Sequence, residues 1–445
     1  MERTSFWRSL NTRERWGWVI YDWADSAFVL CVITVIGAGY FVHMFEKSAQ
    51  EAGTLMVGSA PALPFAGLNL TGEGAWSLLV GLSAFIVAVS SPIMGAIADA
   101  GKLRLRFLVG YCLIGVLATL TLAFPLPWWA IGLAILIGNV GYEGGNVYYN
   151  SFLPDIGTAK EQDALSSAGY AFGYLGGVLV LIAALFLFVL PPDGEIRNSF
   201  LLVGLWWGGF ALFTFTWVRE SPVKQATHSQ HQISHAWQEV KRTLRLLTQS
   251  KDVGLFLVAF LLYNDGIATL ISNATPYALQ NIYLDDTLTQ HITLKELTPV
   301  IIMIQVIGFP GSIFTSWMSS RIGEKPTIYF TLAVYAAVVT YGQVAKVLWE
   351  FYIMAALIGL VLGGSQAISR SLFSSLVPRG KNAEFFAFFA LSSKFSAMIG
   401  PLVYGGLVLW TGETRPALLS LTFFFLTGGV LLYFVDVKRG QHQSA

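Results

Sequence analysis

Residues 76–98 read WSLLVGLSAFIVAVSSPIMGAIA and run directly into Asp99-Ala100-Gly101-Lys102-Leu103-Arg104. A charge-free run of 23 residues matches the roughly 20 residues a helix needs to cross the hydrocarbon core of a bilayer. Acid, glycine and bases at its end mark a water-facing edge. The same reading extends along the whole chain of 445 residues, of which 55% are apolar and only 12% charged, against about 25% charged in ordinary soluble proteins. A typical cytosolic enzyme is thereby excluded. Apolar windows predict twelve spanning helices at about 17–42, 76–98, 105–124, 128–151, 166–190, 200–218, 253–274, 298–318, 327–345, 350–373, 385–409 and 417–436, an all-α polytopic membrane protein. The first run has no small-residue cleavage pattern and carries Asp22 and Asp25, so it reads as a retained span. Cys31 and Cys112 both fall in apolar runs and read as packing residues.

With both ends on the cytoplasmic side, that side receives twenty of the 27 Lys and Arg residues and the other side five, the remaining two, Arg370 and Lys394, falling inside spans. The bias follows the positive-inside rule. The longest polar connection, 219–252, divides the chain into a six-helix half at 17–218 and another at 253–436, with cytoplasmic ends at 1–16 and 437–445. Within the connection Ile233, Trp237, Val240, Leu244 and Leu247 recur at helical spacing, predicting an amphipathic linker helix along the inner membrane face or packed on the bundle. His228, His231 and His235 have no carboxylate or Cys in register, so no metal site is expected there. The outer connection 43–75 is long and apolar for a loop, and reads either as a packed outer loop or as a re-entrant segment.

Two local resemblances relate the halves. Gly95, Asp99, Gly101, Lys102 and Arg104 close helix two, and Arg321, Gly323 and Lys325 close helix eight. In both, small residues lead to a charge, a turn glycine and a lysine. Gly95 permits close helix approach, Gly101 is expected to turn the chain, and Asp99 can pair with a nearby base or a neighbouring helix end, so the set forms a candidate conformational gate. Helix one carries Tyr21-Asp22-Trp23-Ala24-Asp25-Ser26 and helix seven Tyr263-Asn264-Asp265-Gly266. Repeated halves around a central path are the architecture of alternating-access carriers.

Asp22, Asp25, Glu143, Asp265, Arg370 and Lys394 fall inside predicted spans. A charge at the centre of a spanning helix costs about 2.5–3.5 kcal/mol on insertion scales, so these groups are expected to face an interior path, with a transport or coupling role. Asp22 and Asp25 can share a helix face as a protonatable pair, or serve as a static ion pair with Lys394 or Arg370. Asn139, Glu143, Asn146 and Asn150 form one stripe on helix four. Together with Tyr21, Ser26, Asn264 and Gln366 they are the candidate substrate path, and Arg370 or Lys394 is the candidate partner for a carboxylate.

The turn at 95–106 looks like the signature that follows helix two in the major facilitator superfamily. Tyr21 to Ala27, Asn150-Ser151-Phe152-Leu153-Pro154, Tyr263 to Gly266, Gly364 to Phe373 and Gly400-Pro401 resemble, more closely, the bacterial relatives of the fungal vacuolar amino-acid effluxer, the autophagy-related permease family. The resemblance runs from about residue 14 to 437. It implies two six-helix bundles, alternating access and export, with an amino acid or related metabolite as one cargo class. The chain departs from the family pattern at Asp25, where Asn is more usual, and so carries an added acid that bears on coupling or solute preference.

The expected function is secondary active transport of a small polar solute, exported with protons, in the cell inner membrane. The alternatives are an uncoupled facilitator and a non-transporting receptor or scaffold of carrier fold. No Gly-rich phosphate loop with Lys-Ser/Thr is present, which argues against ATP-driven transport by this chain. Scattered carboxylates without a spanned His supply no convincing nucleophile and base, so no enzyme activity, cofactor or metal is expected. A net charge of +1 gives no reason to expect nucleic acid. Membrane lipid and the solute are the expected partners, and a monomer is expected to suffice.

Overall fold

The computed structural model describes residues 6–51, 56–57, 60–65, 68–158, 161–220, 251–292, 294–377, 381–411 and 413–437. The amphipathic linker helix expected in 219–252, with its three histidines, lies outside the described residues, as do the side chain of Lys394 and almost all of the C-terminal tail.

Among the described residues twelve long helices carry the fold: α1 Arg13–Glu51, α2 Gly72–Gly101, α3 Arg104–Thr121, α4 Trp128–Ser151, α5 Gln162–Val189, α6 Arg197–Trp217, α7 Lys251–Asn281, α8 Leu294–Ile322, α9 Glu324–Tyr341, α10 Leu348–Leu376, α11 Asn382–Thr411 and α12 Thr414–Tyr433. Among the described residues nine are long and apolar enough to cross a membrane; α4, which carries Asn139, Glu143, Asn146 and Asn150, is not among the nine. Twelve passes return the chain to the face it started from, called the terminal face below. There Lys325, at the start of α9, donates to the carbonyls of Tyr433 and Val435 at the end of α12, and Asp252 in α7 accepts from the Asp436 amide.

Helix α1 departs from the expected span. It continues to Glu51 rather than ending near 42, and its stretch Phe28–Val35 is wound as a π-helix, with the Thr34 hydroxyl bonded to the Val29 carbonyl five residues back. Its 39 residues extend about 58 Å at 1.5 Å per residue, well beyond the ~30 Å hydrocarbon core. Beyond it the 43–75 connection holds a three-stranded antiparallel meander, β1 Met56–Val57, β2 Ala60–Phe65 and β3 Leu68–Thr71, with Leu63 opposite Leu70. The connection is thus a helical extension and a small sheet, and Thr71 ends it by capping α2 through the Gly74 amide.

Among the described residues there are two large apolar cores and a small cluster of Ala96 and Phe388 between α2 and α11. One gathers Trp18, Phe28, Tyr149 and Trp207 from the first six helices; the other gathers Phe256, Phe260, Phe373 and Phe389 from the last six, with ring centroids as close as 4.4 Å. Cys31 and Cys112 are free thiols buried in the first. Lipid tails are as apolar as leucine, so helices in a bilayer associate through close packing rather than through escape from water. Gly141 illustrates this: a Cβ on it would come within 2.6 Å of the Gly115 Cα, so α3 and α4 touch backbone to backbone. The outward faces expose Phe85, Leu117, Leu205, Phe423 and Leu426, as lipid-facing residues must be. The halves meet along α2 with α11, α4 with α11, and α5 with α8 and α10. Between them the Tyr174 ring of α5 covers Gly308 of α8 and Gly363 of α10, where a side chain would strike it.

Candidate functional site

Arg370 of α10 is buried at 3% exposure, and among the described residues its guanidinium is held entirely by the first half. Its Nε donates to Ser166 Oγ at 2.8 Å, Nη1 to Asn150 Oδ1 at 2.9 Å, and Nη2 to the Ser166 carbonyl at 2.8 Å. Nη2 also lies 3.5 Å from Asp22 Oδ2. That oxygen accepts a second hydrogen bond, from the Tyr149 hydroxyl at 2.6 Å. Three rings surround the cation, Tyr170 at 4.5 Å, Trp18 at 4.9 Å and Tyr149 at 5.6 Å from the guanidinium carbon to the ring centroid, a geometry that favours a delocalised cation. The rings are themselves fixed: Trp18 stacks on Tyr149 at 4.5 Å and donates from Nε1 to the Tyr149 carbonyl. Gly169 makes room for the assembly, since a Cβ there would collide with Asp22 Oδ2 and come 3.0 Å from Arg370 Nη2 and the Tyr149 hydroxyl.

The other predicted residues divide around this centre. Asp25 is buried at 2% exposure and accepts from Asn146 Nδ2 at 3.1 Å. Tyr21 stacks on Tyr149 at 5.1 Å and its hydroxyl is buried with no hydrogen-bond partner among the described residues. Ser26 lies against Gly173. The α4 stripe points three of its four members at different helices, Asn139 to Ser83 of α2, Asn146 to Asp25 of α1 and Asn150 to Arg370. Glu143 is half-buried on the same stripe.

In the second half Asp265, fully buried, takes the Gly400 amide on both carboxylate oxygens, at 2.9 and 2.8 Å, beside Pro401 in α11. Asn264 is buried and Gln366 half-buried. Ser369 shares a hydrogen bond with the Tyr263 hydroxyl at 2.6 Å, and Ser365 shares one with Tyr335. Asp265 and Arg370 are therefore not partners: one binds a backbone amide of its own half, the other reaches across.

On the terminal face the gate residues also separate. Asp99 accepts the Glu384 amide at the start of α11 at 3.0 Å and lies 3.8 Å from Arg104 Nε. Arg104 in turn binds Asp155 at 2.6 Å and the Ser151 carbonyl at 2.9 Å, and Asn382 of the second half donates to Asp155 at 3.0 Å. Gly95 allows this approach, because a Cβ there would come 2.8 Å from the Ala383 carbonyl oxygen. Nearby, burial pushes the Glu161 carboxyl up, but hydrogen bonds from Thr158 and Arg15 outweigh it and hold the group below its ordinary range.

Gly101 does not make the turn expected of it. It is the last residue of α2, covered by the Leu103 side chain, and the left-handed residue is Lys102 at φ 52°. The turn is closed by the Leu103 amide on the Ala98 carbonyl at 2.8 Å, so the helix cap falls one residue later. Lys102 is exposed. In the second-half counterpart Gly323 turns the chain at φ 96°, Lys325 caps α12, and Arg321 is exposed over Trp317.

Sequence reasoning missed a second contact between halves. Asp163 at the start of α5 accepts hydrogen bonds from Ser319 of α8 and, at 2.5 Å, from Ser371 of α10. The available signal was a repeat, Lys160-Glu161-Gln162-Asp163 against Lys381-Asn382-Ala383-Glu384, which puts an acid three residues after a lysine at the head of α5 and of α11. Trp18, Tyr149, Tyr170 and Ser166 were missed as well.

Neutralising the α2 contact tests the gate. Asp99→Asn removes a charge-assisted hydrogen bond of about 1.5–3 kcal/mol, partly replaced by the amide oxygen. A loss of one to two kcal/mol corresponds to a roughly 5–30-fold shift between states. Faster hydrogen exchange in the first turn of α11 is the expected result, and unchanged exchange would remove the gating role.

This arrangement, twelve helices with a cation of one half clamped by the other, is a major facilitator fold. The solved structure of the FucP transporter in its outward conformation superposes with a TM-score of 0.66 at 13% identity, covering 95% of this chain and 98% of that one. The human organic anion transporter MFSD10 gives 0.68 at 16%, covering 94% and 99%. The chain belongs to the vacuole effluxer Atg22-like family, whose model matches residues 11–445. Relatives include the uncharacterized MFS-type transporter YxiO of Bacillus subtilis (strain 168), 29% identical over 97% of both chains. Autophagy-related protein 22 of Coccidioides immitis (strain RS) is 27% identical over 98% of this chain and 89% of that protein.

Proposed function

We propose that this membrane transporter moves a small polar solute, an amino acid or related metabolite, outward across a bacterial inner membrane by alternating access coupled to protons. In this reading the bundles at 17–218 and 253–436 are the rocking units, both termini are cytoplasmic, the terminal face is the cytoplasmic face, and a monomer suffices. The observation that carries it is the seating of Arg370 wholly among first-half residues. The terminal face cannot part while that guanidinium is seated, and withdrawing it leaves Asp22 as a buried carboxylate without its cation. An unpaired buried charge is costly, and a proton on Asp22 removes the cost. Coupling thus follows from the order of events: a proton arrives, the ion pair is released, the face opens.

The test is flux in proteoliposomes against a panel of amino acids and related metabolites, with and without an imposed pH gradient. Gradient-driven flux in the wild type, with Asp22→Asn still inserted and moving solute down its own gradient but at least tenfold less responsive to pH, is the expected result. Equal flux with and without the gradient would make the chain an uncoupled facilitator. Tight solute binding with no flux would make it a receptor.

A further inference from the structure

We infer that the first half carries a preformed receptor for a guanidinium group, that Arg370 is its tethered occupant, and that the cargo is a small guanidinium-bearing solute which takes the place of Arg370 during transport. This rests on the transport reading above and names its substrate class.

A guanidinium is planar, carries donors on three nitrogens and prefers aromatic faces. Each preference is met by first-half atoms: Ser166 Oγ for Nε, Asn150 Oδ1 for Nη1, the Ser166 carbonyl and Asp22 for Nη2, and the rings of Tyr170, Trp18 and Tyr149 around the plane. The receptor does not depend on Arg370 for its shape. Trp18 is fixed by stacking and by its hydrogen bond to Tyr149, Tyr149 by its hydroxyl on Asp22, and Ser166 and Asn150 sit on α5 and the last turn of α4. When the halves part, Ser166 Oγ loses its hydrogen bond to the Ala367 carbonyl of α10, but the rings, Asp22, Asn150 and the Ser166 carbonyl stay in place, and the site then holds acceptors and rings with no cation in them.

The charge around it points the same way. Asp25, one helical turn from Asp22, is buried with Asn146 as its hydrogen-bond partner. Asp22 and Asp25 place two carboxylates on one face of α1 beside the Arg370 guanidinium, and once the proton that released Arg370 has left Asp22 the vacated first half is anionic. Arg370 is also poorly available to a carboxylate, because each of its three nitrogens already donates to a protein acceptor. The site therefore selects the cationic end of a solute rather than an acid.

Counterflow into proteoliposomes containing the full chain decides the matter, with arginine inside, labelled arginine outside, and agmatine, guanidinium ion, lysine, leucine and glutamate as competitors. The expected result is inhibition by agmatine and guanidinium at least tenfold stronger than by lysine, and none by leucine or glutamate. Tyr170→Phe keeps the ring and should keep this order, whereas Tyr170→Leu should weaken guanidinium competition about tenfold. Binding is read separately as a guanidinium-dependent rise in the thermal unfolding midpoint, larger in Arg370→Ala than in the wild type because the tethered occupant is gone. Should that variant not fold, the wild type and the Tyr170 pair decide. Flux of leucine or glutamate with no competition by guanidinium solutes overturns the inference and leaves the transport reading standing. Guanidinium binding without flux of any solute sinks the transport reading and, with it, the claim that guanidinium is cargo.

Discussion

Arg370→Ala is expected to destabilise the folded chain by about 3–5 kcal/mol, the usual cost of removing one partner of a buried ion pair, and to abolish coupled flux. Asp22 would remain buried beside Tyr149 with its cation gone, and Ser166 and Asn150 would lose the donors that bind them. The double variant Asp22→Asn with Arg370→Ala should recover much of the stability, because the uncompensated charge is removed, while coupled flux stays lost. Unfolding in detergent measures the first effect and pH-driven flux the second. Equal stability of the single and double variants would mean that Asp22 is not paired with Arg370. Arg370→Lys tests geometry: an ammonium keeps the charge but not the fork that meets Ser166, Asn150 and Asp22 together, so partial stability without wild-type flux is expected.

Gly169→Ala is the second large effect, and it adds only a methyl group. That carbon would collide with the Asp22 carboxylate and come 3.0 Å from both the Arg370 guanidinium and the Tyr149 hydroxyl. None of these can move aside cheaply, because each is held by the others. Overpacking of this kind costs about 1–3 kcal/mol, and here the displacement falls on the groups proposed to couple transport. A flux loss of at least tenfold is expected. Gly405→Ala supplies the contrast, since a Cβ there meets nothing within 4 Å; it should transport as the wild type does. Similar losses at both positions would show that α-helical glycine itself, rather than the space at 169, is what matters.

The fold was readable because lipid imposes one simple demand, long apolar helices, and hydropathy reports it directly. Asp22, Asn150 and Arg370 were readable for a related reason: polar groups in such helices stand out. The cage around them was not, because Trp18, Tyr149 and Tyr170 are aromatic residues in apolar runs and carry no mark separating them from core packing. Asp163 escaped notice because helix five was expected to begin at 166, which left that acid in a connection. Asp265 shows the reverse case. Its presence in a span was plain, but its partner is a backbone amide at Gly400, set by the rotation of α7 against α11 rather than by any pattern within either. The extension of α1 and the meander beyond it escaped because a π-helical stretch breaks the regular period and short strands in an apolar loop have too few residues to show alternation.

The seclusion of the two thiols has a practical consequence. Cys31 and Cys112 are each about 1% exposed and are the chain's complete complement of cysteines, so a water-soluble maleimide should find no native target in the folded protein. Spectroscopic rulers can then be installed on the natural background. Lys102 and Arg321, solvent-facing at the ends of α2 and α8, make one such pair, and its span would report how far the two bundles separate during a turnover.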